Sequence, residues 1–160
     1  MDTIMYKKEL LNKLLVVASG KELIAKKNQQ QAQSNANEEE GAMQSRYSTF
    51  KEEGQYLAGG LRGLHEEFKM TVGVLRSLIS GVIKDNNRVE SLAIVDLQFE
   101  NESIKKFFVL PVLGGEKVDD LTIITPTTPL GKAILRKEIG DDFAFQVAGK
   151  IRKGEVINVI

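Results

Sequence analysis

The chain contains no cysteine, which excludes disulfide frameworks, thiolate metal sites and cysteine nucleophiles together. Its single histidine, His65, leaves no pair of imidazoles for a metal and weakens any Ser-His-Asp reading. Tryptophan is absent, and the aromatic residues of the C-terminal half are Phe99, Phe107, Phe108, Phe143 and Phe145. These are expected to be core, which argues against an aromatic-lined isomerase pocket. There is no excess charge: 22 Lys and Arg balance 22 Asp and Glu in 160 residues, so no net field favours nucleic acid or an anionic membrane. No apolar run approaches the roughly 20 residues of a membrane span. The N-terminus, MDTIMYKKELL, lacks the apolar core of a signal peptide. The expectation is a soluble, cytoplasmic, monomeric protein made of one domain, or of one small domain with an extended arm.

What is present divides into two halves. From Met5 to about Gln33 the spacing predicts a helix, with Leu10, Leu14, Val17 and Ile24 in one row and Leu11, Leu15, Ala18 and Ala25 beside it. A second helical run keeps a heptad register through Phe50, Leu57, Leu61, Leu64, Phe68, Leu75, Leu78 and Val82. The two runs predict an antiparallel coiled-coil hairpin over residues 1–84, with its tip at about 36–48. Five glycines, Gly54, Gly59, Gly60, Gly63 and Gly73, lie inside the second run. Each costs about 0.5–1 kcal/mol relative to alanine. The Gly59-Gly60 pair is expected to allow a bend or a close approach of the first helix, and His65 to lie on the solvated side. Between the runs stand three consecutive carboxylates, Glu38, Glu39 and Glu40, followed by Gly41.

After Asn86-Asn87, a turn signal, the period changes to that of strands. Residues 91–99, 106–112, 121–125, 143–147 and 155–160 read as five short strands, with AGKIRKG linking the last two. Thr128 suits a helix N-cap and Pro129 the first helical position. A short helix is therefore expected from Pro129 to Lys137, with Leu130, Ala133 and Ile134 facing inward. The predicted fold class is α+β, an N-terminal helical hairpin followed over 88–160 by an antiparallel sheet domain with one short helix.

Two stretches carry a resemblance. Lys51–Leu64, KEEGQYLAGGLRGL, is similar to the start of the descending helix in bacterial transcript-cleavage (Gre-type) elongation factors. Ile123–Asp141, IITPTTPLGKAILRKEIGD, resembles that family's C-terminal signature through Pro129-Leu130-Gly131-Lys132-Ala133 and Gly140-Asp141. The order of a long hairpin and then a small sheet domain also matches. The resemblance implies an FKBP-like C-terminal domain that docks on the RNA polymerase core near Pro129, Leu130 and Gly131. It also implies a hairpin that enters the secondary channel, where acidic tip residues help hold the magnesium ion of the polymerase active site and orient water against the RNA 3′ end. The factor would bind no cofactor alone and would at most stimulate the polymerase's own cleavage.

Acids belong at such a tip because magnesium takes hard oxygen ligands and retains waters, and a metal beside a phosphodiester activates the nucleophile and stabilises the leaving oxygen. Here the chain departs from the pattern. Aligned on Tyr47 and Lys51-Glu52-Glu53, the family's acidic pair falls at Glu40 and Met43, while a variant tip with the pair nearer the Tyr places it at Ser45 and Ser48, so at least one acid is missing under either alignment; Glu38, Glu39 and Glu40 remain the candidate catalytic acids, with Glu40 the candidate shared ligand. Met43 and Arg46 bring an apolar group and a cation to the tip and, with Tyr47, are candidate partner contacts. The expected function is a Gre-like regulator that binds polymerase with weak or absent stimulation of cleavage. The alternatives are an active cleavage factor using Glu38–Glu40, an FKBP-like isomerase or chaperone, and a coiled-coil adaptor.

Overall fold

The protein is described by a computed structural model over residues 2–38 and 47–160, with side chains at all of these except 36–38, 47–52, 54 and 55. It is an α+β chain. Two long helices, α1 (Thr3–Glu38) and α2 (Tyr47–Ser80), precede strands β1 (Ile94–Phe99), β2 (Ile104–Val109), β3 (Lys117–Val118) and β4 (Leu121–Ile124), the short helix α3 (Pro129–Ile134), and strands β5 (Asp142–Val147) and β6 (Lys150–Val159). The chain divides into two compact units, Leu14–Ser77 and the combination of Met1–Lys13 with Leu78–Ile160.

In the helical unit the buried positions follow a heptad. On α1 they are Leu14, Ala18 and Ala25, continuing a row that begins at Lys7 and Leu11. Val17 and Ile24, expected in this seam, are exposed at 51% and 60%. A lysine at a seam position hid the register, because Lys7 does not read as apolar. On α2, Leu61, Phe68 and Leu75 face inward as expected, but the companion row is Ala58, His65, Val72 and Ile79. Leu57 and Leu64, assigned to that row, are 60% and 42% exposed, and Val82 is exposed beyond the helix end. A heptad alternates steps of three and four, and choosing the wrong alternation moves one of its two rows by a residue.

The sheet unit is built on six strands in the order β3-β4-β2-β1-β6-β5. It is not wholly antiparallel: β2 and β4 run parallel, Phe107–Val109 against Thr122–Ile124. The loop after β2 and the two-residue strand β3 supply the crossover, and β3 is too short to announce itself by alternation. One face of the sheet gathers Val95, Leu97, Phe107, Val109, Phe143 and Val156 around Ile134 of α3. Residues of opposite parity, Ile94, Phe108 and Ile123, are buried too, so the central strands are covered on both sides. The first turns of α1 share this unit, with Lys13 Nζ 3.0 Å from Asp119 Oδ2.

β5 and β6 form a tighter hairpin than expected. Val147 pairs with Lys150 across a two-residue turn, and both turn residues have positive φ, Ala148 at 49° and Gly149 at 76°. This is the type I′ geometry, whose twist matches that of the flanking strands. Strand β6 therefore starts at Lys150, inside the stretch expected to be a linker.

Candidate functional site

The expected tip lies between the end of α1 at Glu38 and the start of α2 at Tyr47. Glu39, Glu40, Met43 and Arg46 fall outside the described residues, as do the side chains of Glu38 and Tyr47. The helices leading to them are 36 and 34 residues long, so α1 alone extends about 54 Å at 1.5 Å per residue. Among the described residues, no group of three or more His, Asp or Glu side chains gathers as a metal would require. Nor, among the same residues, is any helix long and apolar enough to cross a membrane.

Between α1 and α2 the histidine is engaged rather than solvated. His65 Nδ1 lies 3.0 Å from Gln29 Oε1, and its Nε2 lies 3.8 Å from Glu22 Oε1. One seam position of α2 is thus filled by a polar link between the two helices, which run antiparallel.

The second expected site, Pro129-Leu130-Gly131, is fully described. Thr125 O accepts from Thr128 N at 3.2 Å and from Thr128 Oγ1 at 2.9 Å. The same Thr128 hydroxyl accepts from Gly131 N at 3.1 Å and so caps α3, with Pro129 at its first position. The helix ends at Ile134 rather than Lys137 because Leu135 leaves helical geometry and Arg136 turns to φ 65°. Gly131 sits against the carbonyl of Thr125 so closely that an added Cβ would overlap that oxygen. Pro129 is exposed and Leu130 half-buried; Leu130 and Ala133 pack on the core around Ile134. An open groove of about 490 Å³ runs beside them, lined by Thr127, Pro129, Lys132, Ala133, Ala144, Phe145 and Gln146.

No family model matches the chain, and no curated protein matches it. Solved structures do. The transcription factor Gfh1 matches at 12% identity and a TM-score of 0.41, over 91% of this chain and 92% of that one. Gfh1 of Thermus aquaticus matches at 15% identity and a TM-score of 0.40, over 94% and 92%. A prokaryotic elongation factor GreA/GreB from Nitrosomonas europaea matches at 14% identity and a TM-score of 0.33, over 54% of this chain and 76% of that one. At these identities and scores the similarity transfers no residue role.

Within the sheet unit, polar contacts tie the first turns of α1 to the segment before β1. Lys7 is fully buried. Its ammonium donates to Lys84 O at 2.9 Å and to Asn86 Oδ1 at 2.8 Å, while Asn86 Nδ2 donates to Glu90 Oε1 at 2.9 Å. Burial lowers the Lys7 pKa, and the nearby Asp85 and Glu90 carboxylates oppose that shift. Hydrogen bonds from Lys84 and then Asn86 hold Glu90 below the usual carboxylate range. A hydrogen bond from Lys106 does the same for Asp120, with Lys106 Nζ 3.0 Å from Asp120 Oδ2. Neither this staple nor the groove-lining residues of β5 was visible in the sequence. The only available signal was that DFAFQV, an unguarded strand, follows the signature segment directly.

Proposed function

We propose that the chain is a Gre-type regulator of bacterial RNA polymerase that docks through its sheet unit, presents its helical pair to the secondary channel, and does not stimulate RNA cleavage. The observation that carries this reading is the Thr125–Gly131 turn. The residues that resemble the family signature are locked by mutual hydrogen bonds, and Pro129 is left exposed on the wall of an open groove. A rigid, preformed backbone is what a docking edge needs, because ordering it on binding would cost affinity. The α+β order of two long helices before a six-stranded sheet supports the same reading. The non-cleaving half rests on tip composition, since Met43 stands where the second acid is expected. Orientation of a metal-bound water tolerates little misplacement of a carboxylate.

Purified protein mixed with bacterial core polymerase should copurify at micromolar concentration. In backtracked complexes with magnesium it should leave cleavage unstimulated and should compete with a true cleavage factor. Failure to bind the core enzyme overturns the reading. Stimulated cleavage that disappears in Glu40→Ala would instead establish Glu38–Glu40 as working acids, with binding retained in both cases.

A further inference from the structure

The two edges of the sheet are unlike. One is β3, two residues long with Lys117 exposed, and a short charged edge resists pairing with foreign strands. The other is β5, six residues reading DFAFQV, with no lysine, no proline and a single charge at its first position. Because Val147 and Lys150 close a two-residue turn, the backbone groups of Phe143, Phe145 and Val147 point toward β6. Those of Asp142, Ala144 and Gln146 point away from it. Among the described residues none of these three takes a backbone hydrogen bond from any other element. Helix α3 leaves this edge open, since the groove beside Thr127 and Pro129 is lined by Ala144, Phe145 and Gln146.

Charge along the edge selects the occupant. Toward the turn, the β5–β6 ribbon carries Lys150, Arg152 and Lys153; toward its other end it carries Asp141, Asp142 and Glu155. An antiparallel neighbour of the same sequence sets each end against its opposite. We infer that β5 is the pairing edge of a two-fold dimer, in which two copies of this chain join their sheets antiparallel through residues 142–147. Outward residues must face outward residues, and the register that pairs all three of them centres the two-fold on Ala144 and sets Asp142 of each copy opposite Gln146 of the other. On the reverse face Phe145, half-buried in the single chain, lies across from Phe143 of the other copy, adding an aromatic cross-strand pair. Such an interface is isologous and closed; because β5 lines the same groove as Pro129, a dimeric chain and a chain docked on polymerase through that groove exclude one another.

The test is the mass of the full chain by sedimentation or light scattering from about 1 μM to about 1 mM, a range that resolves weak dimers. The wild type should pass from monomer to dimer. Ala144→Pro removes an amide that the β6 ladder does not use, and should stay monomeric throughout with an unchanged circular dichroism spectrum. Gln146→Lys should tighten the dimer by about two- to tenfold and Gln146→Glu should loosen it by as much, through the facing Asp142. Within one chain these positions are about 13 Å apart on the strand, so the effect acts only between copies. A wild type that remains monomeric at the highest concentration overturns the inference, as does a dimer unaffected by Ala144→Pro. Weakening by Gln146→Lys also overturns it, because lysine then merely guards an edge used by another register or another protein. Should Ala144→Pro fail to fold, the opposite signs of the two Gln146 variants decide.

Discussion

A methyl group added at Gly131 would run into the Thr125 carbonyl oxygen, whereas one added at Gly59, Gly60, Gly63 or Gly73 would meet nothing within 4 Å. Gly154 behaves like Gly131, its Cβ direction blocked by Gln98 O and by the Phe143 ring at 2.6 Å. In the sheet unit, Gly131 and Gly154 are demanded by close approach of backbone and ring, and Gly115, Gly140 and Gly149 by positive φ. The described glycines of the helical unit sit on open surface, and the close approach expected at Gly59-Gly60 is not present. The two units are thus specified differently, one by dense steric fit and the other by a thin polar-tolerant seam.

The sharpest way to break this comparison is Gly131→Ala. The new Cβ has to displace main chain rather than a flexible side-chain end, so the loss should be at least about 3 kcal/mol. Chemical denaturation monitored on the sheet unit should show it as a large fall in midpoint. A loss below about 1 kcal/mol would mean that the Thr125–Gly131 turn opens easily, and its rigidity would no longer support the docking argument.

Lys7 comes next, because it brings a charge into an otherwise tightly fitted region. Lys7→Met removes the donor to Lys84 O and Asn86 Oδ1 and should cost about 2 kcal/mol at neutral pH. Its pH dependence has a definite sign. Burial puts the folded-state pKa below the free value of 10.5, so between the two pKa values the unfolded chain binds more protons. Stability therefore rises with pH across that interval, up to about 10.5. The melting temperature of the wild type relative to Lys7→Met should climb as pH approaches that value; a flat or falling difference would show that Asp85 and Glu90 outweigh burial.

Much of this was legible in the residues. The Thr128 cap, Pro129 at the first helical position, and the inward set Leu130, Ala133 and Ile134 follow from local stereochemistry, which the sequence states directly. Alternation in Ala93, Val95 and Leu97 marks a true buried face. What was not legible depends on partners distant in the chain. Lys7 becomes a seam residue only because Lys84 O and Asn86 Oδ1 accept its hydrogen bonds 77 and 79 residues later, and His65 only because Gln29 meets it. The parallel β2–β4 pair needs a crossover whose strand, β3, is two residues long. At the tip, the acids Glu39 and Glu40 lie outside the described residues, and their candidacy stands on composition.

A smaller effect separates capping from steric fit within the same turn. Thr128→Ala deletes the oxygen that accepts from Gly131 N and should cost about 1 kcal/mol. Thr128→Ser, which keeps that oxygen, should recover most of it. Equal losses in both variants would assign the effect to the Thr128 methyl group and not to the cap.

The smallest expected change has the opposite sign. Gly59→Ala, Gly63→Ala and Gly73→Ala should each stabilise α2 by about 0.5–1 kcal/mol, since alanine restricts the unfolded chain and finds open space in the folded one. The gains should add if the sites do not share partners, and helical circular dichroism during thermal unfolding would read them. Any loss would reveal a packing partner for these positions and bring the helical unit closer to the sheet unit in kind. Under the proposed docking on polymerase, capture by the triple variant then distinguishes two reasons for glycine on an open face. Tighter folding with weakened capture means that the bare helix surface is kept for a partner's close approach. Tighter folding with unchanged capture means that α2 carries an uncompensated cost, and that the seam of Leu61, Phe68, Val72 and Leu75 is sufficient to hold it.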